Sequence, residues 1–287
     1  KAERDGAVRR TRGLGGDASA VADVAEVPAP PIPRSNDHDG PHREPADSDS
    51  AAVSIEQDAP RDGKLDHRLV AALAPQSLVA EQYRSLRTRI SSAENGRALR
   101  AIIVTSPGKG DGKSLTAANL ALTMAQEYQH RVLLIDADLR RPTLHQLFSL
   151  REAPGLTDVL MGAATLDDAF VPLSEHHLTV LPSGVPAMHP AELLGSAAMR
   201  RVMDAARTRF DRVILDMPPV SPLADVHVLA NTADGVLLIV RAGSTPKPAI
   251  ERALASLAPN KVLGLVLNEV GTDAAAEGYG SYAYIAG

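Results

Sequence analysis

Residues 101–120 read AIIVTSPGKGDGKSLTAANL. The apolar run Ala101–Val104 suits a strand buried on both faces. It feeds the loop Thr105-Ser-Pro-Gly-Lys-Gly-Asp-Gly-Lys113-Ser114, which opens directly into a helical pattern. Glycines 108, 110 and 112 let the backbone turn tightly and aim its N–H groups inward at phosphate oxygens. The helix N-terminus adds partial positive charge, Lys113 neutralises terminal phosphates, and the Ser114 hydroxyl is placed to ligate Mg²⁺. Pro107 stands where the common G-x-x-x-x-G-K-S pattern has its first glycine. A glycine-rich match alone is weak, but strand, loop, GKS and helix in that order make a specific signal for the whole segment from Gly108 to Leu115, with Lys109 and Asp111 inside it.

Outward from this loop the same rhythm continues. Apolar runs recur at Arg131–Ile135, Leu178–Leu181, Arg212–Leu215, Gly235–Val240 and Val262–Leu267. Helical patterns fill the gaps at Lys113–Tyr128, Thr143–Ser149, Ser196–Arg207, Ala224–Asn231 and Pro248–Ala258. Continuous apolar strands alternating with helices predict an α/β fold, a doubly wound and mostly parallel sheet with helices on both faces. In such sheets ligands lie beyond the carboxyl ends of the strands.

Two further strand ends carry carboxylates. The second run ends Leu133-Leu-Ile-Asp136-Ala-Asp138-Leu-Arg140-Arg141, and two residues apart on a strand places Asp136 and Asp138 on one side. The run Val213-Ile-Leu-Asp216 puts a third Asp at the position that holds a metal or a water in phosphate-binding loops of this kind. Upstream, Val79, Tyr83, Leu86 and Ile90 make one stripe of an amphipathic helix over residues 77–90, with Ser77 as its N-cap.

Composition limits the rest. From Lys1 to about Arg68 large apolar residues are scarce and prolines 28, 30, 31, 33, 41, 45 and 60 interrupt any element. Residues 1–68 therefore read as a disordered N-terminal arm, 69–270 as one folded domain, and 271–287 as a flexible tail. The net charge of −5 gives no basic field to attract nucleic acid. The absence of cysteine removes disulfides, thiolate metal sites and a Cys nucleophile. No apolar run nears the roughly 18 residues of a spanning helix. The first residue is Lys1, so a segment upstream is expected.

These residues resemble the bacterial tyrosine kinases of capsule and exopolysaccharide synthesis, within the deviant-Walker P-loop ATPases. Ser106–Ser114 looks like Walker A, Leu133–Arg140 like Walker A-prime and Val213–Pro219 like Walker B. The partition-type ATPases of the same group carry a signature lysine five places before the P-loop lysine, where this chain has Gly108. In the kinase pattern the Lys109 position is usually proline and the Asp111 position glutamate. Glu81, Arg84 and Arg87 match the E-x-x-R-x-x-R oligomerisation helix of the kinases, and the resemblance implies a ring built through it. Glu81 and Arg84 are equally well spaced for an ordinary i, i+3 surface pair. The tail holds Tyr279, Tyr282 and Tyr284, three of the five tyrosines in the chain. The resemblance makes them phosphoacceptors; a short edge strand carrying tyrosines is the plainer reading.

The resemblance further implies an ATP-dependent tyrosine autokinase, with Asp136 orienting or deprotonating the acceptor hydroxyl and Asn268 contacting adenine or serving as a turn residue. Mg²⁺ is expected on Ser114, Asp138 and Asp216. Arg140 and Arg141 are expected either to hold a phosphate or the tail, or to be a solvated basic pair. Expected partners are further copies of the chain, a membrane polysaccharide chain-length (copolymerase) protein as activator and a tyrosine phosphatase, but no nucleic acid. The expected location is cytoplasmic, at the inner face of the plasma membrane. The rival functions are a partition- or division-type ATPase switch and a nucleotide-sensing scaffold.

Overall fold

The run ahead of the glycine loop forms β1 (Ala101–Thr105), every residue of it buried, in a computed structural model that describes residues 64–94, 96–127, 130–220 and 225–270. The other strands are β2 (Val132–Asp136), β3 (Val171–Leu173), β4 (Leu178–Leu181), β5 (Arg212–Asp216), β6 (Gly235–Arg241) and β7 (Val262–Asn268). They join in the order β3-β4-β2-β5-β1-β6-β7. Every pairing is parallel except that of β3 with β4. All six apolar runs are thus strands of one mostly parallel sheet, as expected. The seventh, β3, is three residues long and carries Pro172, which cannot donate to a ladder and so suits an edge.

Helices α1 (Val70–Leu73), α2 (Leu78–Ser92), α3 (Lys113–Ala125) and α4 (Leu144–Leu147) cover one face of the sheet. Helices α5 (Leu156–Leu160), α6 (Leu166–Ala169), α7 (Pro190–Leu194), α8 (Ala197–Arg209), α9 (Asp225–Ala230) and α10 (Lys247–Ser256) cover the other. Along β1, Ala101 and Ile103 join the second core while Ile102 and Val104 join the first. With a core on each side, both parities of the strand are apolar, which is why the sequence shows unbroken runs. Each Leu, Ile or Val so buried contributes about 1.5–3 kcal/mol. The short α5, α6 and α7 lay outside the helical patterns, because four or five residues are too few to show a period.

Helix α3 is buried along almost its whole length, between the sheet and α1 and α2. Its Asn119 is fully buried and fastens the chain entering α1, accepting from the Ala71 N–H at 3.0 Å and donating to the Arg68 carbonyl at 3.1 Å. Residues 64–68, assigned to the arm on composition, also lie against this body. The Asp66 N–H donates to the Leu147 carbonyl at 2.9 Å and the Ser149 hydroxyl to the Lys64 carbonyl at 2.6 Å. Backbone groups make these contacts, so side-chain composition did not reveal them; the rest of the arm, 1–63, lies outside the described residues. Among the described residues no helix is long and apolar enough to cross a membrane.

Candidate active site

The sheet's register sets the site. Val104 of β1 pairs with Asp216 of β5, and Asp216 with Asp136 of β2. The glycine loop and two carboxylates therefore emerge side by side at the carboxyl edge.

Gly110 and Gly112 adopt φ of +86° and +89°, a region open to glycine at no steric cost. Gly112 caps α3, so the loop ends on the positive pole of a 13-residue helix. Gly108 departs from the expectation that all three glycines aim their N–H groups inward. Its N–H is taken by Asp111 Oδ2 at 2.9 Å, an i to i+3 closure that glycine spacing alone did not disclose. Asn268, at the end of β7, donates from Nδ2 to the Asp111 carbonyl at 3.0 Å. A Cβ on Gly112 would stand 2.0 Å from that Nδ2, so Asn268 packs directly against the glycine loop, a contact that neither expected role included. Lys109 is exposed.

Lys113 Nζ lies 2.7 Å from Asp138 Oδ2 and 3.4 Å from Asp216 Oδ1, with Ser114 Oγ at 3.1 Å. Asp136 and Asp216 are 0% exposed and Asp138 3%. Three buried carboxylates thus face one ammonium, an excess of negative charge in a dry place. Burial works against the Lys113 ammonium, but the charges of Asp216 and Asp138 outweigh it and hold its pKa above the usual lysine range. For Asp216 burial dominates and raises the pKa although Lys113 pulls the other way. Asp136 is pushed up to about 8, by burial first and by the neighbouring Asp216 charge second.

Asp136 has a further duty that the sequence did not show. Its Oδ2 accepts the N–H groups of Thr143 and Leu144, both at 3.0 Å, and so starts α4. Its Oδ1 accepts only a longer bond from the Asp138 N–H, at 3.3 Å.

The donor set fits a magnesium ion. Asp216 Oδ2 is buried with no hydrogen-bond partner among the described residues, an orphan acceptor beside a hydroxyl and a second carboxylate. No group of three or more His, Asp or Glu ligands occurs among the described residues. That rules against a closed protein cage there, but Mg²⁺ ordinarily takes one or two carboxylates and completes its shell with waters and substrate phosphates.

Arg140 is exposed, and it carries an ion pair that neither expectation included. Its Nε and a terminal nitrogen donate to the two oxygens of Asp225 at 2.7 and 3.2 Å, and Asp225 is 0% exposed. The pair ties the segment after β2 to α9; with 85 residues between the partners, local sequence held no sign of it. Arg141 is exposed.

On α2, Ser77 caps as expected, accepting from the Ala80 N–H at 3.2 Å. Ile90 is buried and Leu86 packs on the core, but Val79 is 47% exposed. Glu81 and Arg84 form an i, i+3 ion pair at 2.5 Å, the plainer of the two readings of that spacing. Arg87 donates to the Thr123 carbonyl at 2.9 Å and pairs with Glu127 at 3.3 Å, which fastens α2 to α3. Tyr279, Tyr282 and Tyr284 lie outside the described residues.

A family model described as "AAA domain" matches residues 100–254. The chain is 41% identical over 210 residues to tyrosine-protein kinase YwqD of Bacillus subtilis (strain 168), which covers 72% of this chain and 88% of that protein. It is 36% identical over 202 residues to the succinoglycan biosynthesis transport protein ExoP of Rhizobium meliloti (strain 1021), covering 68% of this chain and 25% of that protein. Among solved structures, the kinase domain of Escherichia coli tyrosine kinase ETK superposes with a TM-score of 0.68 at 26% identity, covering 76% of this chain and 87% of that chain.

Proposed function

The chain belongs to the bacterial tyrosine-protein kinases and has their P-loop fold, and from that premise we propose that it moves the γ-phosphoryl group of ATP onto Tyr279, Tyr282 and Tyr284 of another copy of itself. The observation that carries this reading is Lys113 lying between Asp138 and Asp216 under a glycine loop, with Asp136 on the adjoining strand.

Phosphoryl transfer asks a protein for positioning and charge neutralisation more than for covalent chemistry. The N–H groups of the loop and of the first turn of α3 bind the phosphates. Lys113 leaves its two carboxylates for the β and γ phosphates. Ser114, Asp138 and Asp216 hold Mg²⁺, which when bound neutralises phosphate charge. Asn268 borders the adenine. The tyrosine oxygen bonds to the γ phosphorus as the bond from phosphorus to the β,γ-bridging oxygen breaks, and ADP departs. Asp136 orients the hydroxyl through Oδ1 and accepts its proton late in the step. In its ionised form a carboxylate whose pKa is raised to about 8 is a better matched base for a phenol near 10 than an ordinary Asp near 4, and the step draws on the molecules in which Asp136 is ionised.

The wider setting follows from the same premise. The α2 helix joins copies into a ring, a membrane polysaccharide copolymerase activates them at the inner face of the membrane, and a tyrosine phosphatase resets the tail. Export of capsule or exopolysaccharide is the process served.

The test is incubation of the purified chain with Mg-ATP, with and without an activating fragment of such a membrane protein, followed by mapping of phosphotyrosine by mass spectrometry. Phosphate on the tail tyrosines, absent in Lys113→Met, is the expected result. ATP turnover without phosphotyrosine under both conditions would replace this reading with an ATPase switch.

A further inference from the structure

Asp111 puts a carboxylate in the middle of a loop suited to phosphates, where an inward-facing charge would repel the ligand. The side chain is instead buried, at 5% exposure, and both of its oxygens are engaged. Oδ2 holds the Gly108 N–H at 2.9 Å, and Oδ1 accepts the Thr245 hydroxyl at 2.7 Å. Thr245 Oγ1 itself accepts the Arg241 N–H at 2.9 Å, so its single hydrogen is committed to Asp111. Thr245 stands in the tight turn after β6, closed by its own N–H on the Arg241 carbonyl at 3.0 Å. From the other side Asn268 of β7 grips the Asp111 carbonyl. Two strands that contribute no catalytic carboxylate thereby hold the centre of the phosphate loop, through a residue flanked by two left-handed glycines.

We propose that Thr245 and Asp111 form a clamp that sets the phosphate loop in its ligand-accepting shape before nucleotide arrives, which makes Thr245 a positioning residue for ATP. The inference rests on the nucleotide reading above. A loop with glycine at 108, 110 and 112 has wide conformational freedom when untethered, and ordering it on binding would weaken affinity. The clamp removes that cost in advance by a hydrogen bond to a charged acceptor, one of the stronger kinds. Its loss therefore acts on affinity for ATP rather than on the chemical step.

The experiment measures the Kd of the full chain for a fluorescent Mg-ATP analogue, the KM for ATP and kcat for phosphotyrosine formation, and the nucleotide-free melting temperature. Thr245→Val, which keeps shape and loses the hydroxyl, is compared with Thr245→Ser, which keeps the hydroxyl. Thr245→Val is expected to raise Kd and KM about tenfold, the effect of a single charge-assisted hydrogen bond. Its kcat at saturating ATP stays within about twofold, and Thr245→Ser restores wild-type affinity. Adding Thr245→Val to Asp111→Ala should weaken binding no further, since the two act through one contact. Unchanged affinity in Thr245→Val, equal loss in the Val and Ser variants, or a fall in kcat with KM unmoved would overturn the clamp. Wild-type protein that binds the analogue but forms no phosphotyrosine, with or without the activating fragment, would instead overturn the kinase reading and leave the clamp to be judged on Kd.

Discussion

Asp136 shows how much of a residue's chemistry is set by its surroundings. In the unfolded chain its carboxyl titrates near 4, and in the folded chain at about 8. Between those values the native state holds a proton that the unfolded state has released, so this group makes stability fall as pH rises through that window. Melting curves of the nucleotide-free protein from pH 5 to 8 should show wild type losing stability relative to Asp136→Asn; parallel curves would deny the raised pKa. The same variant should lower phosphotyrosine formation by on the order of a hundredfold, the usual size of a lost acid–base group. Gly112 makes a second residue-scale case. In Gly112→Ala the new Cβ meets Asn268 Nδ2 at 2.0 Å, and φ of +89° strains any L side chain. ATP-analogue binding should disappear and the melting temperature drop. Adding Asn268→Ala relieves the contact but not the strain, so only part of the melting temperature should return.

At the scale of elements, polar pairs decide how the segments around the site are held. Helix α4 begins on the Asp136 carboxylate, and the segment before it is tied to α9 by Arg140 and Asp225. Removing Arg140 leaves a fully buried Asp225 charge without its partner. The fully buried case costs about 3–5 kcal/mol, and since the guanidinium here is more than a third exposed we expect about 2–3 kcal/mol for Arg140→Ala in urea unfolding. Arg140→Ala with Asp225→Ala should cost less than Arg140→Ala alone, and a larger loss in the double variant would contradict this account. How legible these elements were follows their length and burial. Five of the six apolar strands were readable because burial on both faces leaves almost no polar position, and the sixth, β7 at the sheet edge, is equally apolar although Leu265 and Leu267 are exposed. The short β3, α5, α6 and α7 were not, since tertiary packing rather than local pattern forms them.

For the whole molecule, the proposed ring makes α2 both an internal element and a contact between copies. Glu81→Ala with Arg84→Ala removes an exposed pair worth about 1 kcal/mol or less to the folded chain, so the melting temperature should barely move. Light scattering after size-exclusion chromatography should nevertheless show a smaller assembly than wild type; equal masses would deny α2 a part in assembly. Arg87 is a poorer probe, because it also fastens α2 to α3. The amino-acid sequence alone determined the α/β class, the six apolar strands, the glycine loop and the three carboxylates at strand ends, because each rests on local periodicity or on spacing along the chain. Only the tertiary structure decided which polar groups meet: Lys113 with Asp216 across 103 residues, Thr245 with Asp111 across 134, and Asn268 with Asp111 across 157. Strand order and register bring those partners together, and burial with neighbouring charge there raises the pKa values of Asp216 and Lys113, so neither effect has a signature in any short window of sequence.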